Sequence, residues 1–392
     1  MKKSDFYIER TIARLCPNGV LLRRLEEVCE IDNQKRKPVK SNLRTSGLIP
    51  YYGANNIQDY VKGFTHDGNY VLIAEDSSAS LKTYSIQYTV GKFWANNHVH
   101  VIKGKDDLNT KFLYYYLKNI NFIPYLSGGT RAKLTRGKMI NIKIPIPPLE
   151  IQQEIVKILN SFTELETELE TELEKRQKQY EYYKESLLEC KSVSGVENLP
   201  LSEVCSPTSN MKWNDNKEKT YKYIDLTSVS RDNHSIIDTK EITAENTPSR
   251  AQKLVQKDDI IFATTRPTLR RYALINDEYN GQIASTGYCV LRAQKEKALP
   301  KWIYYNISSI AFNEYVEQNQ EGSAYPSISD SKVKAYEIPL PSIEEQQRIV
   351  SILDKFESLV NDISIGLPAE IKARHKQYEY YRNKLLTFKE ST

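Results

Sequence analysis

One segment of this chain is written twice. "IPIPPLEIQQEIVKILNSF" at 144–162 returns as "IPLPSIEEQQRIVSILDKF" at 338–356, and "KQYEYYKESLL" at 178–188 returns as "KQYEYYRNKLL" at 376–386. The likeness reaches upstream: "LEEVC" ending at Cys29 matches "LSEVC" ending at Cys205, and "KFLYYYL" from Lys111 matches "KWIYYNI" from Lys301. A duplication of this size leaves few architectures open. The chain reads as two halves, each a variable body of roughly 115 to 140 residues, an ordinary domain size, followed by a similar tail.

The tails read as helices. Proline-rich segments, Pro145 to Pro148 and Pro339 to Pro341, end a strand, and apolar residues then recur at steps of three and four. The first stripe is Phe162, Leu165, Leu169, Leu173, Tyr180 and Leu187; the second is Phe356, Leu359, Ile363, Leu367, Ile371, Tyr378 and Leu385. Both tails are amphipathic, so each stripe must be buried on something, and the simplest partner for one is the other. One helix over 149–190 would be ~60 Å long at ~1.5 Å per residue. Two such helices, each following its own body, pair best antiparallel about a pseudo-two-fold axis, which would put the bodies at opposite ends of a rod. Gly366 and Pro368 predict a kink in the second. The first contains "TELETELETELE" at 163–174, a tetrapeptide written three times, with six glutamates and no cation. Phosphate would be repelled there, so the rod is a spacer and a protein-docking surface.

The bodies read as mixed α/β. In the first, 70–76, 84–90 and 98–104 look like strands and 108–120 like a helix; in the second, 258–265, 271–277 and 287–293 look like strands and 299–318 carries the helix. The expected fold is α+β: two pseudo-symmetric α/β bodies joined by two long antiparallel helices. The boundaries are 1–143, 144–190, 191–337 and 338–392, with the kink near 366–368. The two bodies share a plan but little loop sequence.

Catalysis finds little support. The nearest approach to a phosphate-binding G-x-x-x-x-G-K-[ST] loop, around Gly137 and Lys138, has Ala132 where the first glycine belongs and Met139 in place of Ser or Thr. Neither an F-x-G-x-G cofactor loop nor an N-P-P-F or D-P-P-Y tetrapeptide is present. His98 and His100 alternate on a strand without a matching ligand pattern. Glu75-Asp76 and Asp258-Asp259 flank strands, where turns account for them. The five cysteines lie far apart with no C-x-x-C, which suits buried thiols in a reducing compartment. No stretch approaches the ~18 uninterrupted apolar residues of a membrane span, so a cytoplasmic protein without a membrane partner is expected. The net charge of +5 is mild, so its distribution matters more than its sum.

That distribution favours the loops. "GGTRAKLTRGK" at 128–138 carries Arg131, Lys133 and Arg136 beside two glycines, and "TTRPTLRRY" at 264–272 presents Thr265, Arg266, Arg270 and Arg271. "YGANN" and "WANN" offer Asn55, Asn56, Asn96 and Asn97, and "NQEGSAY" offers Gln320 and Ser323. Arginine pairs with guanine, and Asn or Gln with adenine, by two hydrogen bonds in the major groove, so this inventory suits DNA base edges. Surface loops are commonly polar in any case, which makes these residues candidates rather than assignments.

Two variable halves, each closed by I-P-[IL]-P, a Q-Q-x-I-V-x-I-L helix and a K-Q-Y-E-Y-Y-[KR] segment, resemble the specificity subunits of type I restriction-modification systems. "GKFWANNHVHV" and "DDIIFATTRPTLRRY" also look like target recognition domains of that family. The resemblance implies a non-catalytic reader of double-stranded DNA that binds no cofactor itself. Each target recognition domain would bind one half of a split, asymmetric site, and the helices would set the gap. Two modification subunits carrying adenine methyltransferase activity and S-adenosylmethionine would dock on the helices, and two motor/nuclease subunits would join for restriction. Phe162, Leu165, Leu169, Leu173, Tyr180, Phe356, Leu359, Ile363, Leu367 and Tyr378 would then serve spacing and docking. A coiled-coil scaffold with two protein-binding heads is the competing reading. It explains the rod but not the Arg, Asn and Gln loops. A fused reader and methylase is disfavoured by the missing cofactor motifs.

Overall fold

Two short apolar runs, "YVLIA" at Tyr70–Ala74 and "IIFA" at Ile260–Ala263, are buried at every residue and form the central strands of two separate units. A strand covered on both faces reads as a continuous apolar run rather than an alternation. The computed structural model describes residues 10–128, 132–191, 193, 195–361 and 366–391. One unit comprises residues up to Leu169 together with Ile371–Thr392; the other comprises Glu170–Glu370.

In the first unit, Tyr70–Ala74 lies antiparallel between Val99–Gly104 and Ile86–Thr89, with Cys29–Ile31 at the edge. Helix Thr110–Asn119 packs Phe112, Leu113 and Leu117 into the core against Val71 and Ile73. A second sheet orders Asn56–Val61, Ser46–Gly53, Lys92–Ala95 and His66–Asp67, with its one parallel pair between Ser46–Gly53 and Lys92–Ala95. This sheet is not among the expected strands. "SGLIPYYG" holds two glycines and a proline, and its register slips twice against the neighbouring strand, so no clean alternation survives in the sequence.

The second unit repeats the plan. Ile260–Ala263 lies between Tyr288–Ala293 and Tyr272–Leu274, with Cys205–Ser206 at the edge. A second sheet orders Lys240–Ile242, Tyr221–Ile224, Ile283–Ser285 and Ala251–Leu254, again with one parallel pair, Tyr221–Ile224 with Ile283–Ser285. The single helix expected over 299–318 is two, Pro300–Ile307 and Ile310–Asn319. The break falls at Ser308 and Ser309: the Ser309 hydroxyl accepts from the Phe312 amide at 3.0 Å and starts the second helix.

The first tail is one helix, Leu149–Leu188, whose first half belongs to one unit and second half to the other. The second tail is described as Ile343–Asn361 and Gly366–Leu386, and Gly366 has φ +65, outside the helical region. In the first unit Phe162 stacks on Tyr381 at 5.4 Å, and His375 lies 3.3 Å from Glu166, so the helices run antiparallel. In the second, Phe356 stacks on Tyr183 at 6.3 Å. Phe162 and Phe356 are equivalent in the duplication, as are Tyr381 and Tyr183. Each body is thus closed by the tail end of the other half. The expected stripe is only partly buried: Phe162 and Tyr180 are buried, Leu165, Leu169 and Leu173 are half-buried, and Phe356 and Leu359 are 37% and 54% exposed. Ile363 lies outside the described residues.

Candidate nucleic-acid interface

In the first unit the central strand runs out at Glu75 and Asp76, and Lys133 and Leu134 are tied to that end. The Leu134 amide donates to the Glu75 carbonyl at 2.8 Å. Lys133 bridges both Asp76 and Ser127, with Ser127 and Lys133 exchanging amide-to-carbonyl bonds of 2.9 and 2.8 Å. The Glu75 carboxylate binds Arg36 Nη1 at 2.8 Å and Lys133 Nζ at 3.3 Å. Arg36 also donates to the carbonyls of Asn97 and Val99. Burial would raise the Glu75 pKa, but Arg36 and Lys133 outweigh it and hold the carboxyl below its usual value. His100 is buried, which lowers its pKa. Its Nε2 donates to the Leu134 carbonyl at 2.8 Å, leaving Nδ1 to accept from Asn33 at 3.0 Å. One charged hub therefore ties together residues 33–36, 97–100 and 132–134.

The second unit has the same clamp with no carboxylate at the strand end; its charged member, Glu321, pairs with Lys332 at the surface at 2.7 Å. The Ile328 amide donates to the Thr264 carbonyl at 2.9 Å. Ser327 bridges Thr265 and Glu321, exchanging bonds of 2.9 and 2.8 Å with Glu321. Position for position, Glu75 becomes Thr264, Asp76 becomes Thr265, Ser127 becomes Glu321, Lys133 becomes Ser327 and Leu134 becomes Ile328. The Thr264 hydroxyl donates to the Gly287 carbonyl at 2.9 Å where Glu75 gathers cations. Five residues are enclosed in each case, "GGTRA" at 128–132 and "GSAYP" at 322–326, and each stretch opens on a glycine of positive φ: Gly128 at 89° and Gly322 at 91°. Residues 129–131 lie outside the described residues, and Arg131 with them.

The structure sorts the expected contact residues. Lys133 and Asn97 join the first clamp; Arg136 is exposed at the start of a short helix and carries no ion pair among the described residues. Thr265, Arg266 and the exposed Ser323 gather at the second clamp, and Gln320 is half-buried just before it, its Oε1 without a hydrogen-bond partner among the described residues. Asn55 spends its amide on the backbone of Ser77 and Ala79, Asn56 is a left-handed turn residue at φ 97, and Asn96 is 4% exposed and accepts from the His98 amide. Arg270 and Arg271 turn inward, donating to the carbonyls of Ser308 and Val229. His98 pairs with Asp76 at 2.7 Å, and among the described residues no three His, Cys, Asp or Glu side chains gather to hold a metal. None of the described helices is long and apolar enough to cross a membrane.

Two features went unnoticed in the sequence. Residues 35–44, "KRKPVKSNLR", hold five cations and no acid. Arg36 enters the Glu75 hub, while Lys37 and Arg44 line a groove with Lys62, Tyr51 and Trp94. Counting charge along the chain would have found this segment. Tyr325, 72% exposed, lies against Arg266; only the fold brings them together.

The type I restriction modification DNA specificity domain family matches residues 17–176 and again 194–373. The chain is 44% identical to a putative type I restriction enzyme specificity subunit of Haemophilus influenzae, over 99% of this chain and 100% of that one. It is 31% identical to the EcoR124I/EcoR124II specificity subunit of Escherichia coli, over 93% of each. The crystal structure of a type I restriction-modification S subunit from M. genitalium superposes with a TM-score of 0.55 over 93% of this chain and 95% of that one, at 15% identity, a likeness of fold. Two matched domains on a duplicated frame, over essentially the full length of these relatives, place this chain among the specificity subunits of type I restriction-modification systems.

Proposed function

We propose that this chain is the non-catalytic DNA-reading subunit of its system, each unit reading one half of a bipartite, asymmetric site. The observation that carries this reading is the repeated clamp: the same backbone ties hold two loops of equal length and different sequence, as two readers of different targets require. Lys133, Arg136 and Asn97 in the first unit, and Thr265, Arg266 and Ser323 in the second, supply cationic and polar groups around those loops. Asn96, Arg270 and Arg271 support the frame. The helical tails set the distance between half-sites. Their partly exposed apolar residues, Phe356 and Leu359 among them, supply docking area for two modification subunits that carry S-adenosylmethionine and methylate adenine. Two motor/nuclease subunits complete the restricting assembly.

The test is to co-express the chain with its methyltransferase partner in a host lacking other methylation and to map modified adenines. Two short specified blocks separated by a fixed unspecified gap are expected. Modification without a motif would favour a scaffold with protein-binding heads.

A further inference from the structure

We infer that Tyr325 and Arg266 form one specificity-determining element, a guanidinium–ring pair whose backbone is held by the second clamp, that reads base pairs of the second half-site. The inference rests on the DNA-reading function proposed above and adds a residue that the loop chemistry alone does not single out.

Tyr325 is the one aromatic residue among the five enclosed by the clamp, and a large ring left 72% exposed needs a reason when so many of this chain's tyrosines are buried. The loop that carries it is held on both sides. Glu321 and Ser327 close it, Ser327 ties it to Thr265 at the strand end, and the Arg266 amide donates to the Pro326 carbonyl at 2.7 Å. Gly322, at φ +91, lets the loop fold back so closely that a Cβ there would sit 3.2 Å from the Tyr325 carbonyl.

Arg266 meets it from the other side. Its backbone is left-handed, at φ 48 and ψ 55, a conformation unfavourable for a residue with a Cβ. In that conformation the Arg266 guanidinium lies 4.9 Å from the centre of the Tyr325 ring. Among the described residues Arg266 makes no ion pair. Guanidinium over an aromatic face leaves the edge donors of the arginine free. Those donors suit the O6 and N7 acceptors of guanine, and a ring fixed beside them can lie against a neighbouring base or thymine methyl. The ring contact biases the arginine side chain toward one orientation before DNA arrives, which favours discrimination over general adhesion. At the equivalent place in the first unit, Asp76 stands where the second has Thr265, and the loop sequence is different, so this pair belongs to one half-site.

The test uses the complex with the methyltransferase subunit. Wild type, Tyr325→Ala, Tyr325→Phe and Arg266→Lys are compared for adenine modification across a genome and for binding to duplexes carrying the mapped site or single-base changes in either half. Tyr325→Ala and Arg266→Lys are each expected to lower discrimination about tenfold to a hundredfold at one or two positions of the second half. The first half should be unchanged, and Tyr325→Phe should read like wild type because it keeps the ring. Circular dichroism and melting check that the exposed substitutions leave the fold intact. The inference is overturned if Tyr325→Ala keeps the wild-type motif and discrimination, or if it weakens all duplexes equally with the ratios unchanged. A wild-type complex with no bipartite motif would overturn the functional reading and this inference together.

Discussion

Gln152 and Gln346 do the same work in two different units. Gln152 Oε1 accepts from the Asn109 amide at 2.8 Å while its Nε2 donates to the carbonyls of Asp107 and Pro147; Gln346 Oε1 accepts from the Leu299 amide at 2.9 Å while its Nε2 donates to those of Lys297 and Pro341. Both side chains are fully buried. Each ties the start of a tail helix to the loop that begins the body helix, and this explains the first glutamine of the duplicated "QQ"; the second, Gln153 or Gln347, is exposed. Gln152→Ala or Gln346→Ala removes the side-chain partner of one buried and two part-buried backbone groups and should cost about 2–4 kcal/mol. Denaturant melts of each variant check this, and the two losses should be similar.

The Glu75 hub gives the strand end of the first clamp a charge dependence that Thr264 does not give the second. Glu75→Gln keeps the shape but leaves Arg36 and Lys133 without their counter-charge, and should destabilise by about 1–3 kcal/mol. The folded carboxyl lies below its ordinary value, so its stabilisation is present above about pH 4.5 and is lost as pH falls through the folded value. The gap between wild type and variant should therefore close in acid. In the assembled complex, modification should lose fidelity in the first half-site only.

A second carboxylate behaves the opposite way. The Tyr305 hydroxyl lies 2.6 Å from Asp354 and 2.9 Å from Glu357, and one hydroxyl proton cannot serve both. Burial, with Asp354 adding to it against the Tyr305 hydrogen bond, raises the Glu357 pKa. A raised carboxyl costs stability as pH climbs from the unfolded value of about 4.5 through the folded one. Glu357→Gln should accordingly raise the melting temperature at pH 7.5 and give no advantage near pH 4. The first unit has Asn160 and Thr163 at these places, and Tyr115 donates to Asn160 at 2.8 Å without a paired acid.

Each "TELE" unit adds about one turn, changing the helix length by ~6 Å and rotating the downstream part of the helix by a net ~40° at ~100° per residue. One DNA base pair twists by ~35° at 10 to 10.5 pairs per turn. Length argues for nearly two base pairs per unit and rotation for one. A reading loop must face its groove, so rotation decides. Removing Thr167 to Glu170 should shorten the unspecified gap by one base pair while both half-sites keep their bases. Methylation mapping of the deletion variant checks this, and an unchanged gap would mean that the repeat is tolerated slippage rather than a ruler.

The duplication made the two-body plan and the tail helices legible, because apolar spacing and repeat length are local properties. The second sheet of each unit was not, since Gly47, Pro50 and Gly53 interrupt the pattern that would announce its longest strand in the first. The candidate residues divide along the same line. Lys133 and Arg266 stand out by composition, and the fold keeps them at the clamps. Asn96 and Arg271 look equally suitable in sequence, but their side chains bond to backbone. The Glu75 hub joins residues 39 and 58 positions away in sequence, a relation that no local spacing encodes.

The central claim is that two independent readers share one frame, and a body exchange tests it most directly. Residues 19–143 are replaced by the first body of another family member, the complex is assembled with the methyltransferase subunit, and modified adenines are mapped. The account predicts a motif with a new first half, the original second half and the original gap. A change in both halves, or in neither, would contradict it.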